Sequence, residues 1–114
     1  MPTHLAALDA APAPSIDEML ANAQAASDLL KALSHETRLV ILCLLIDGEK
    51  SVSEIEGLLN LRQPAVSQQL ARLRADNLVD TRRDGKNVYY GIARPEVIEI
   101  IEALNRAFCK MHKA

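Results

Sequence analysis

The sequence predicts a mainly α-helical chain with a β-hairpin wing, a winged helix-turn-helix of about five helices and two strands. Two short amphipathic segments, residues 51–59 and 64–76, are separated by a tight polar turn, which is typical of a helix-turn-helix. Two extended runs joined by Asp84-Gly85 follow them, and an Asp-Gly pair between β-prone runs is a strong hairpin signal. Longer helical patterns flank this unit, and 114 residues suit one domain.

The segment before the helix-turn-helix predicts an arm and two helices. Residues 1–14, rich in Ala and Pro, are expected to form a mobile arm, and residues 15–114 the folded domain. Ser15 is expected to cap a first helix over residues 16–33. Ser34 is expected to cap a second helix over about residues 35–46, whose run 39–46 is apolar on all sides. This pattern predicts the central, most buried helix.

The third and fourth helices form the predicted helix-turn-helix. The third begins at Ser51 or Ser53 and runs through Leu59, and its predicted inward residues are Ile55, Leu58 and Leu59. Residues 60–63 form the turn, and Pro64 suits the first turn of the fourth helix, where no amide donor is needed. The fourth helix ends near residue 76, and its buried stripe is Val66, Leu70 and Leu73.

The predicted hairpin and a last helix complete the chain. The strands cover about residues 79–83 and 87–92, and the last helix runs from Pro95 to about His112. Its apolar stripe is Val97, Ile101, Leu104, Phe108 and Met111.

Positive charge is concentrated in the predicted helix-turn-helix and hairpin. The net charge is −2, but residues 61–90 hold six Lys or Arg against three Asp or Glu, whereas residues 1–60 hold three against nine. Duplex DNA is a dense line of negative charge, so this distribution favours DNA binding. A solvated face with an excess of Arg, or a winged helix used for protein interaction, remains an alternative.

The expected DNA contacts lie on the fourth helix and the hairpin. A helix of this kind enters the major groove, where Gln pairs well with adenine and Ser with several bases. The expected DNA-binding residues of the helix are Gln63, Ser67, Gln68 and Arg72. Those of the hairpin, expected at phosphates or a minor groove, are Arg82, Arg83 and Lys86.

The segments Ala32–Leu42 and Gln63–Arg74 resemble the ArsR/SmtB family of bacterial repressors. The resemblance extends over about residues 16–112. It implies a homodimer built from the first and last helices, binding to double-stranded DNA at an inverted-repeat operator, and repression that an inducer relieves. The chain departs from the family pattern at Arg62, where Ser or Thr is frequent, and at Gln69, where His is frequent.

Two cysteines are the candidate sensor. Cys43 lies in the apolar second helix, where a small core residue is the usual role, whereas Cys109 is followed by basic residues that would favour its thiolate. Their surroundings, Ile41–Leu45 and Ala107–Cys109, resemble the BigR/SqrR-type persulfide-responsive branch of the family and the related HlyU type. This resemblance implies that reactive sulfur species join the pair by a disulfide or a longer sulfur bridge and so lower operator affinity.

Other functions find less support in the sequence. A metal-responsive or non-sensing regulator of the same family is the alternative, but Glu99, Glu102 and a distant His112 are poor zinc spacing, and no metal or cofactor is expected. An enzyme is not expected, because no catalytic arrangement or cofactor motif is visible. The chain is expected to be cytoplasmic, without a membrane partner, because it has neither a signal peptide nor a long apolar run.

Overall fold

The computed structural model describes residues 12–60 and 63–109, except for the side chains of Gln63, Pro64 and Cys109. Most of the predicted arm, Arg62 and the end of the last helix, with Met111 and His112, lie outside the described residues. The elements in chain order are α1 (Ile16–Leu33), α2 (Glu36–Leu45), β1 (Lys50–Ser51), α3 (Val52–Leu59), α4 (Gln63–Ala75), β2 (Val79–Asp84), β3 (Asn87–Ile92), α5 (Pro95–Leu104) and a π-helical turn (Asn105–Cys109).

The chain divides into two compact units, of which the first ends at Lys31 and the second begins at Ala32. The first unit contains most of α1, and the cap predicted at Ser15 is confirmed. The Ser15 N–H donates to the Glu18 carboxylate and the Glu18 N–H to Ser15 Oγ, both over 3.1 Å. The large apolar side chains that α1 exposes are Ile16, Met19, Leu20 and Leu30.

Helix α2 differs from its prediction in cap and in burial. Its N-cap is His35, in extended conformation and without a side-chain cap bond, so the cap predicted at Ser34 is wrong. Apolar character on all sides does not give burial on all sides: Val40 is 43% exposed. One face of α2 lies in the core of the second unit because α4, α5 and β3 pack against it. Its buried residues are Arg38, Ile41, Leu42 and Leu45.

Helices α3 and α4 form the predicted pair. Ser51 caps α3 in a capping box with Glu54, which decides between the two predicted caps. Ile55 is fully buried, but Leu58, predicted to point inward, is 59% exposed. Leu58 lies about 60° around the helix from Ile55, on a side of α3 that the core does not cover. The left-handed Asn60 (φ 56°) ends α3.

The wing is a three-stranded antiparallel sheet in the order β1-β3-β2. The two-strand prediction missed β1, which is too short and polar to show a period-two pattern, and which pairs Ser51 with Tyr89. The hairpin turn is Gly85-Lys86, one residue later than predicted, because Asp84 pairs with Asn87. Gly85 has φ +64°, which L side chains rarely adopt.

The last helix keeps its predicted stripe only in part. Val97 and Ile101 are fully buried in the core, whereas Phe108 is 67% exposed. The α-helix ends at Leu104 and continues as a π-helical turn, whose hydrogen bonds span one more residue than those of an α-helix, and this alters the phase on which the predicted stripe rests.

Candidate nucleic-acid interface and cysteine region

Helix α4 is held by the stripe that the sequence predicted. The side chains of Val66, Leu70 and Leu73 are fully buried. The outer face of α4, meaning the side away from this stripe, is polar and small. Its residues are Ser67, which is half-buried, and Gln68, Ala71, Arg72 and Ala75, which are exposed. For Gln63 the structure describes the backbone at the start of α4. The arrangement leaves hydrogen-bonding side chains on a surface that a helix in a major groove would present.

Gln69 has a structural partner inside the protein. Its Oε1 accepts a hydrogen bond of 2.8 Å from Nε of Arg38, whose Nη1 donates to the Ala32 carbonyl over 2.9 Å. Arg38 is only 5% exposed. The bond joins α2 to α4, so the Gln69 side chain, where the chain departs from the family pattern, is held by a residue of α2.

The basic residues of the wing divide between two environments. Arg82 Nε lies 2.7 Å from a carboxylate oxygen of Glu49, and Arg82 Cζ lies 4.9 Å from the ring centre of Tyr89. The hydrogen bond to Glu49 raises the pKa of Arg82 above its ordinary value. Arg83 and Lys86 are exposed. Because neighbouring strand residues face opposite ways, Arg82 and Arg83 do not share one face of the sheet.

Cys43 contacts the far end of the last helix. Its thiol Sγ donates to Oδ1 of Asn105 over 3.2 Å, and the Cys43 side chain is half-buried. Asn105 begins the π-helical turn, and Cys109 ends it. The hydrogen bond of Cys43 therefore joins α2 to the last helix. The backbone of Cys109 lies one helical turn beyond this contact.

Sequence reasoning missed three side chains at these sites. Arg38 and Glu49 lie outside the charge-rich window 61–90, and their contacts join residues 31 and 33 positions apart. Asn105 lies off the apolar stripe of the last helix. Only one signal pointed to any of these contacts, the unusual Gln69.

The described part of the chain offers neither a metal cluster nor a membrane-spanning helix. Among the described residues, no three His, Cys, Asp or Glu side chains form a group that could hold a metal ion. Within residues 12–60 and 63–109, none of the helices combines the length and apolar character needed to cross a membrane.

The chain is similar in sequence to known bacterial regulators. Residues 35–81 match the family model "Bacterial regulatory protein, arsR family". The transcriptional activator HlyU of Vibrio cholerae is 44% identical over 99 residues, which cover 87% of this chain and 92% of HlyU. A biofilm growth-associated repressor of Agrobacterium fabrum is 48% identical over 81 residues, covering 71% of this chain and 69% of the repressor.

Solved structures agree with these relatives. Reduced HlyU from Vibrio cholerae superposes with a TM-score of 0.78 at 47% identity, covering 82% of this chain and 99% of HlyU. The transcriptional repressor BigR from Xylella fastidiosa gives a TM-score of 0.79 at 37% identity, covering 88% and 99%. The predicted fold class and family resemblance are confirmed. The chain belongs to the ArsR family, as a winged helix-turn-helix transcriptional regulator that binds DNA and has HlyU and BigR among its relatives.

Proposed function

We propose that the chain is a homodimeric repressor that releases an inverted-repeat operator when a persulfide or polysulfide links Cys43 to Cys109. The observation that carries this proposal is the 3.2 Å contact between the Cys43 thiol and Asn105. Asn105 and Cys109 are the two ends of one π-helical turn. This closeness in the chain supports a link between the cysteines, and one solved relative is described as the reduced form of HlyU.

The chemistry of the link is thiol oxidation by sulfane sulfur. A cysteine thiolate attacks the outer sulfur of a persulfide RSSH, becomes a protein persulfide and releases RSH. The second cysteine then attacks the inner sulfur, forms the disulfide and releases hydrogen sulfide. Both thiols are oxidised, and one sulfane sulfur is reduced to sulfide. If the terminal sulfur is instead retained, with a second RSSH as oxidant, a trisulfide forms and the products are two RSH and one hydrogen sulfide.

A link at Cys43 is connected physically to the DNA-binding surface. Helix α2 carries Cys43 and, one turn and a half earlier, Arg38, which bonds to Gln69 of α4. A shift of α2 against the last helix would therefore change the orientation of α4. Coupling of this kind requires two conformers that differ in DNA affinity.

The DNA-binding residues of the proposal lie on α4 and the wing. The outer face of α4 supplies base contacts through Ser67 and Gln68, with Gln63 at the start of the helix and Arg72 at a base or phosphate. The exposed Arg83 and Lys86 supply phosphate contacts from the wing. Arg82 contributes only when its bond to Glu49 opens, because that ion pair already neutralises it.

The homodimer is supported by apolar surface at both ends of the chain. Helix α1 exposes Ile16, Leu20 and Leu30, and the last helix exposes Phe108. Large apolar side chains exposed in groups mark interaction surfaces. A second copy contributing the same helices would cover them.

The proposal is tested by gel shift with DNA from the upstream region of the gene itself. The reduced protein is expected to bind, a persulfide donor to release the DNA, and a reductant to restore binding. Cys43→Ser and Cys109→Ser proteins are expected to bind equally well but to stay bound after the donor. Each variant keeps one thiol, so release by either would show that modification of a single cysteine suffices and would refute the link.

Two measurements separate this switch from the alternatives. Mass spectrometry of the treated protein is expected to find peptides containing Cys43 and Cys109 joined through two or more sulfur atoms. A chelator is expected to leave DNA binding of the reduced protein unchanged. Release caused by a metal ion in the double Cys→Ser variant would instead favour a metal-responsive regulator.

A further inference from the structure

We propose that a cleft beside α4 binds one DNA backbone phosphate between the guanidinium groups of Arg38 and Arg72. The residues lining this cleft are Arg38, Gln68, Gln69, Ala71 and Arg72. The inference rests on DNA binding by the outer face of α4 and is independent of the cysteine switch. It adds Arg38, a residue of the second helix, to the surface that holds DNA.

The first argument is the charge of Arg38. A guanidinium remains protonated in proteins, and a charge that is almost wholly withdrawn from water normally has a carboxylate partner. The partners of Arg38 in the described residues are neutral, namely the Gln69 amide and the Ala32 carbonyl. These bonds satisfy donors without neutralising the charge. An anion from outside the chain would complete the site.

The second argument is the edge of Arg38 that remains available. Nε and Nη1 make the two hydrogen bonds, and Nη2 donates none within the part of the chain that the structure describes. No fully buried side-chain nitrogen or oxygen of the described residues lacks a partner, so Nη2 must reach solvent. Gln69 thus fixes the guanidinium with one amino group directed away from its internal bonds. A planar guanidinium held in this way matches the geometry of phosphate oxygens.

The third argument is the position of the cleft on α4. At 100° per residue, Gln69 lies on the flank of the helix beside the buried stripe, and Arg72 lies next to it at the edge of the outer face. A helix in a major groove has base edges before it and phosphates along its flanks. The cleft therefore opens where the DNA backbone would run, and the exposed Arg72 stands at its rim.

The experiment measures the binding of reduced protein to operator duplexes that carry a single neutral methylphosphonate at successive positions. With the unmodified protein, one position at the flank of each half-site is expected to weaken binding about tenfold, the effect of losing one charge-assisted hydrogen bond. Arg72→Ala is expected to abolish the sensitivity at that position alone.

Two variants of Gln69 test the part played by Arg38. Gln69→Glu places a carboxylate at the Arg38 Nε, and we expect it to abolish sensitivity at the same phosphate. We also expect the slope of log binding constant against log salt concentration, the salt slope, to become shallower by about 0.9. Gln69→Met removes the acceptor without adding charge, and we expect partial loss of sensitivity there. Gln24→Glu, the same charge change on α1, is the control and should keep the unmodified pattern.

Thermal unfolding by circular dichroism verifies that the variants are folded. Full sensitivity at that phosphate in both folded variants would show that the Arg38 guanidinium does not contact it and would overturn the inference. Sensitivity that is lost in Gln69→Glu but complete in Gln69→Met would show that Gln69 does not hold Arg38 at this phosphate, and would reduce the effect of Gln69→Glu to repulsion by the new carboxylate. Failure of the wider DNA-binding proposal looks different, because Ser67→Ala and Gln68→Ala would then leave operator affinity unchanged.

Discussion

Arg38 and Arg82 differ in the burial of their positive charges and in the partners of those charges. Arg38 is buried between α2 and α4 and, among the described residues, bonds to neutral oxygens alone, whereas the side chain of Arg82 is 53% exposed on the wing and pairs with Glu49. A buried cationic side chain is usually paired with a carboxylate, whereas an exposed one is usually solvated by water. We therefore expect the charge offered to DNA to differ from the charge counted along the sequence. On the proposed DNA-binding surface, the wing should contribute less of it than its arginines suggest, and the junction of α2 with α4 should contribute more.

The largest difference between the two arginines should appear in stability. Arg38→Met would leave the Gln69 amide and the Ala32 carbonyl without their buried donor, and we expect a loss of about 3 kcal/mol in the free energy of unfolding. Arg82→Met should have only a small effect, because its ion pair is exposed and screened by solvent. Urea unfolding of both reduced proteins at one concentration measures the difference, and equal losses would contradict the comparison.

A second comparison concerns Ser51, a residue that connects the wing to α3. Ser51 both caps α3 and pairs with Tyr89, the residue beneath Arg82. Ser51→Ala removes the cap, and we expect a loss of about 1 kcal/mol in the free energy of unfolding. Ser51→Thr keeps a hydroxyl and should lose little. If the two variants unfold at the same urea concentration, the cap does not stabilise the fold.

A smaller effect is expected on DNA affinity when Arg82 is released. Glu49→Gln removes the acid, so that the guanidinium becomes free for a phosphate. We expect tighter binding to a random duplex and a salt slope steeper by at most about 0.9. Glu102→Gln, an equal charge change at an exposed position of α5, is the control. An identical slope in both variants would mean that Arg82 does not reach DNA.

The smallest expected effect is a pH dependence at the start of α3. The Ser51 backbone N–H donates to Glu54 and lowers the pKa of that carboxyl below 4.5. The carboxylate therefore contributes stability above the unfolded pKa and loses it as pH falls through the folded value. Glu54→Gln does not titrate, so the stability difference between wild type and variant should shift only below about pH 4.5 in urea unfolding. A constant difference down to about pH 3 would contradict this assignment.

The sequence was informative where burial imposes a period. The stripe Val66, Leu70 and Leu73 was predicted in full, because a helix facing a core on one side must repeat its apolar residues every three or four positions. The hairpin was predicted to within one residue, because Gly at the turn relieves a backbone constraint. The outer face of α4 followed from the same geometry.

The remaining features depend on contacts between distant residues, which have no local period. Glu49 and Arg82 are 33 residues apart, and β1 is a two-residue strand that exists only because β3 lies beside it. Leu58 and Phe108 were expected inside from their spacing, but the core covers only one side of α3, and the π-helical turn shifts the phase of the last helix before Phe108. Whether Cys43 and Cys109 react together stays a prediction.

The π-helical turn at Asn105–Cys109 makes the length of the last helix as significant as its composition. Such a turn is equivalent to one residue inserted into an α-helix. Deleting a single residue within it should restore ordinary α-helical winding and leave the end of the turn in nearly the same orientation, because the wider turn absorbs the extra residue. The same deletion within Pro95–Leu104 would instead rotate the π-helical turn by about 100° relative to the core, so the last helix should tolerate a one-residue deletion better at Asn105–Cys109 than in the turns before it.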